Sequence, residues 1–78
     1  MSESKYIITI FGAPVIFDPS ILHSDLRVEA VSAGFVKFWF DNESNRFKAL
    51  CYGESTSLGI SSHPHRDVFI VERFLNNR

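Results

Sequence analysis

Seventy-eight residues with a net charge of −1, 45% of them hydrophobic and 14% aromatic, describe one small folded domain and exclude a disordered chain. A chain of this size buries only roughly 60–65% of the surface that its unfolded form exposes. Cys51 is its single cysteine, so no internal disulfide can help, and stability must come from aromatic packing, self-association or both.

The polar opening, Met1 to Ser4, reads as a flexible N-terminus and lacks the apolar stretch of a secretory leader. Together with the lone thiol it points to a reducing, cytoplasmic setting. Apolar runs such as Phe38-Trp39-Phe40 fall far short of a membrane span, so no membrane is expected as partner. Near-neutral charge gives no general attraction for nucleic acid.

Lys5 to Phe11 is rich in β-branched and aromatic residues and apolar on both alternating faces, which predicts an internal strand. Gly12-Ala13-Pro14 interrupts it, and Val15 to Phe17 forms a short second strand with Pro14 at its start or on an edge. Asp18-Pro19 is a helix-start signal for a short helix or turn through Ser24. Between Leu26 and Val31 two patterns compete. Leu26, Val28 and Ala30 alternate with Arg27 and Glu29 as in a strand, whereas Leu22, Leu26 and Ala30 lie four apart as in a helix. The β-branched Val28 and Val31 favour the strand.

Residues 34–53 predict a β-hairpin with the turn at Asp41 to Asn45. Val36, Phe38 and Phe40 share an apolar face with Phe47, Ala49 and Cys51 when Phe40 stands opposite Phe47. A slip of one residue would bury Arg46 and Lys48, and a slip of two would set Lys37 against Lys48. The register is therefore Trp39 opposite Lys48 and Phe35 opposite Tyr52. Gly53 to Ser62 is a connector pinned by Leu58 and Ile60. A helix over 64–76 follows, capped by Ser62 or His63, with Pro64 at its first position and a stripe of Val68, Val71 and Leu75. A strand over Asp67 to Val71 is the rival reading. The expected fold is α+β: one domain over 1–78, with an antiparallel sheet of three to five strands covered on one face by that helix.

The opposite face of the hairpin carries Phe35, Lys37, Trp39, Lys48, Leu50 and Tyr52, and is the candidate partner-binding surface. Aromatic rings interleaved with lysine stems suit a self-complementary dimer contact or a protein partner. They also match, in chemistry, a platform for single-stranded nucleic acid, with Arg46 adding charge. A third reading is that the chain's own segments cover this face.

Enzymatic signals are weak. His63-Pro64-His65-Arg66-Asp67 resembles the H-x-H-x-D metal motif of metallo-β-lactamase-like hydrolases over five residues. On an extended segment those side chains would point one way, and His23 could supply a third nitrogen. Val68 stands where that family places its next histidine, the chain is much too short for that fold, and a helix cap with a solvated first turn is the preferred reading of the segment. Cys51 falls on the apolar face, where a thiol stays protonated. Ser55-Thr56-Ser57 follows Gly53 without completing a phosphate loop or a nucleophile elbow. The chain reads as a non-catalytic interaction domain without cofactor, most economically a homodimer.

Overall fold

The computed structural model describes residues 3–77. Along the chain run β1 (Glu3–Thr9), β2 (Pro14–Phe17), a 3-10 turn (His23–Leu26), β3 (Ala30–Asp41), β4 (Arg46–Tyr52), β5 (Glu54–Ser55), β6 (Ile60–Ser61) and α1 (Pro64–Asn76). The first four strands form one antiparallel sheet in the order β2-β1-β3-β4, and β5 and β6 form a small ladder of their own. With α1 against one face, the fold is α+β. β1 is internal, as its two apolar faces require, and β2 takes the edge, where the missing N–H of Pro14 costs no ladder bond. The polar N-terminus divides: Glu3 and Ser4 pair with Lys37 and Val36, while Met1 and Ser2 lie outside the described residues.

The core lies between sheet and helix. Tyr6, Ile8, Val36, Ala49, Cys51 and Val71 are buried there, with Ile16, Phe38, Val68, Ile70 and Leu75 packed around them. Burial of each large apolar side chain contributes about 1.5–3 kcal/mol. The β3–β4 register is the one that burial and charge dictate, with Phe40 on Phe47, Trp39 on Lys48 and Phe35 on Tyr52. α1 spans Pro64–Asn76 and lays Val71 into the core, so the strand alternative over Asp67 to Val71 is excluded.

Strand β3 joins the two halves of the sheet. Its first part pairs with β1 up to Glu3 opposite Lys37, and its second part pairs with β4 from Phe35 onward. The hairpin end carrying Trp39 and Phe40 therefore extends past β1. Where the halves meet, a Cβ on Gly34 would stand 2.4 Å from the Tyr52 carbonyl oxygen, so only glycine fits.

Two local expectations fail. β1 stops at Thr9, because the Thr9 hydroxyl accepts the N–H groups of Phe11 and Ala13 and turns the chain. The strand expected over Leu26 to Val31 exists only from Ala30 onward. Ahead of it the chain makes the 3-10 turn, left by Arg27 at φ 54°, so that His23 can wedge between Phe17 and Phe35.

β4 is an edge strand, and α1 closes part of that edge with side chains. The Asn76 carboxamide accepts the Phe47 N–H at 2.8 Å and donates to the Phe47 carbonyl at 3.0 Å, and Glu72 accepts the Ala49 N–H at 2.9 Å. Backbone groups that would otherwise template another strand are thereby occupied.

Candidate functional site

The face turned away from α1 is built from cross-strand rows. One row runs Phe17, Lys5, Phe35, Tyr52 through all four strands. The next places Lys37 opposite Leu50, and the last places Trp39 opposite Lys48. The six candidate residues thus stand together on one face, and the structure divides them into two groups.

Phe35 and Tyr52 belong to a covered end. Their rings stack with centroids 6.0 Å apart, and Phe35 meets the His23 ring edge-on at 6.1 Å. His23 is buried, packs edge-on against Phe17 at 5.4 Å, and has Nε2 3.0 Å from the Gly34 carbonyl oxygen. Lys5 Nζ donates to the Ile21 carbonyl at 2.8 Å and holds the same segment down. The Tyr52 hydroxyl donates to the Glu3 carboxylate. Self-coverage therefore accounts for this end of the face.

Trp39, Leu50 and Lys48 form the open end. Trp39 is 37% exposed and Leu50 51%, and they are diagonal neighbours across the β3–β4 ladder. Lys37 is half-buried, its ammonium 5.8 Å from the centre of the Tyr52 ring. Lys48 lies 3.9 Å from Asp41 at the rim. The Ser44 hydroxyl donates to that carboxylate at 2.7 Å and, as the largest cause, holds its pKa below the usual range.

A second cluster sits where α1 begins, and its composition escapes sequence reading. Asp67 is fully buried, not part of a solvated first turn. It accepts a 2.5 Å hydrogen bond from the Tyr6 hydroxyl and a 2.8 Å bond from the His63 backbone N–H, while Arg66 Nε stands 3.5 Å from its other oxygen. Burial, seconded by this bond, pushes the Tyr6 phenol far above its ordinary pKa. Ser32 Oγ lies 2.6 Å from His63 Nδ1 and accepts a 2.5 Å bond from Arg66 Nη2. A hydroxyl beside an imidazole is the first half of a nucleophilic pair. Here Ser32 is fully buried, and Asp67 meets the backbone of His63 instead of its ring, so the group fastens the helix to the sheet.

The metal reading required an extended His63–Asp67 segment. Instead Pro64 opens a helix, on which residues two apart point to widely different sides. His23 is engaged on the opposite face of the sheet, and no group of three His, Cys, Asp or Glu among the described residues is placed to hold an ion. Cys51 lies on the apolar face as expected, where burial chiefly pushes its thiol up to about 12. Among the described residues, no helix is long and apolar enough to cross a membrane.

Fold and surface together define a small α+β domain with an aromatic–basic sheet face. No protein-family model matches the chain, and neither a curated protein nor a solved structure matches it.

Proposed function

We propose that the protein is a non-catalytic interaction domain that works inside the cell as a homodimer, docking through the open end of its sheet face. One observation carries this reading: Trp39 and Leu50 stand exposed side by side, on the face that α1 leaves uncovered. An indole about a third out of water, with an exposed leucine diagonally beside it and lysine stems around it, is the kind of residue that anchors interfaces. The rows around it suit a two-fold contact. Lys37 and Lys48 flank the apolar pair, and Asp41 and Glu3 lie at the margins, so one copy's cations can meet the other's carboxylates. A stable interface takes about 800 Å² from each partner. Reaching that area takes most of the broad side of a molecule measuring 37 × 25 × 20 Å, so the contact would spread from the open end over the covering segment as well.

Sedimentation at micromolar and near-millimolar concentration tests the proposal. The expected result is a dimer that Trp39→Glu converts to a folded monomer; a wild-type chain that stays monomeric at both concentrations rejects it. Single-stranded nucleic acid is the second reading, favoured by the ammonium groups of Lys37 and Lys48 on the indole's own face. Quenching of Trp39 fluorescence by a mixed oligonucleotide at low salt, fading as salt rises, would select it instead.

A further inference from the structure

A cleft of about 760 Å³ runs along the β4 edge between α1 and the hairpin, within the range of roughly 300–1,000 Å³ typical of ligand sites. One wall is a stripe of α1, where Phe69 and Arg73 stand one turn apart. The other is the row Ser44, Arg46, Lys48. Between them, the Asn76 carboxamide and the Glu72 carboxylate are already engaged with the Phe47 and Ala49 backbone. Of the wall groups, Ser44 and Lys48 are engaged by the Asp41 carboxylate, which leaves the guanidinium groups of Arg46 and Arg73 and the ring of Phe69 for a ligand. Three cations stand against the single carboxylate of Glu72 in the lining. Among the described residues, no carboxylate comes within ion-pair distance of Arg46 or Arg73. Phe69, beside them, is 77% exposed and packs under nothing.

From this we infer that the cleft binds a phosphate carried next to a flat ring, with the phosphate between Arg46 and Arg73 and the ring against Phe69. Guanidinium groups present forked donors that match phosphate oxygens, and charge-assisted bonds of this kind are the strong ones. An exposed aromatic face accepts any planar base by stacking. Such a group is supplied either by a free nucleotide or by a single strand. The cleft shares Lys48 with the proposed dimer contact, but the groups that would hold the ligand, Arg46, Arg73 and Phe69, lie outside that contact.

The test is a titration of the ¹⁵N-labelled full chain with AMP at low salt, followed through backbone and arginine side-chain N–H signals. Saturable shifts are expected at Arg46, Phe69 and Arg73. The double variant Arg46→Ala/Arg73→Ala, folded as judged by its unchanged core signals, should bind at least about tenfold more weakly, the size of one lost charge-assisted bond. Phe69→Ala should weaken AMP several-fold and leave inorganic phosphate unaffected. A short oligothymidylate run in parallel identifies the source: binding much tighter than AMP means a strand, and equal binding means a free nucleotide. Absence of shifts in the cleft at millimolar AMP, or undiminished binding by the double variant, overturns the inference. So does a polyglutamate peptide that occupies the cleft when AMP does not. Trp39→Ala, which removes the dimer anchor without setting a carboxylate opposite Lys48, must leave AMP binding intact, which keeps this result distinct from that of the dimer.

Discussion

Asp67 shows how one side chain can decide what a segment does. Its carboxylate is fully buried, and the Tyr6 hydroxyl and the His63 N–H are its two close donors. Tyr6→Phe leaves the ring in the core and removes one donor from a buried charge, which costs about 1–3 kcal/mol. Urea denaturation should show that loss, and Asp67→Asn in the Tyr6→Phe background should recover part of it. Alkali acts on the same region. The folded state raises the pKa of Cys51 from 9.0 to about 12 and raises that of Tyr6 as well, so it holds these protons more tightly than the unfolded chain. Stability from this source is complete below the unfolded thiol's pKa and is lost as pH climbs towards 12. The urea midpoint should therefore fall between pH 8.5 and 10.5, and Cys51→Ala should flatten the decline; these pH values are about those where the unfolded thiol titrates. None of this was readable in one dimension. A helix-start pattern places Asp67 near the dipole's positive end, but nothing nearby announces a tyrosine 61 residues away as its partner.

Among the elements, the hairpin was the most legible, because its wrong registers carry explicit penalties. A slip of one buries Arg46 and Lys48; a slip of two opposes Lys37 and Lys48. Only the observed pairing avoids both. The helix was legible for a similar reason, since Pro64 and the Val68/Val71/Leu75 stripe agree on one start and one face. Residues Leu22 to Glu29 were not legible. Local alternation favours a strand there and four-residue spacing favours a helix, and the contacts of His23 with Phe17 and Phe35 override both. Two of the six candidate residues, Phe35 and Tyr52, sit at the end whose cover depends on where that segment travels. Two substitutions examine the elements directly. Gly34→Ala must push the Tyr52 carbonyl away, with an expected cost of about 1–3 kcal/mol in urea. Asn76→Ala removes both bonds to Phe47, with an expected loss of about 1–2 kcal/mol and faster amide exchange at Phe47 and Ala49.

At the scale of the whole molecule the governing fact is size. A single helix on a four-stranded sheet leaves large side chains such as Phe11, Phe69 and Leu50 in water. Folding that is completed by association carries a signature in mass action. The denaturation midpoint should rise as protein concentration rises, and Trp39→Glu should abolish the dependence; a midpoint that ignores concentration in the wild-type chain removes the dimer. The clasp that α1 places on β4 has a further consequence for aggregation. Whenever the last turn of α1 frays, the Phe47 backbone is bared to pairing with a strand of another molecule. Asn76→Ala should therefore shorten the lag before warm, concentrated solutions turn turbid, and Asn77→Ala should not.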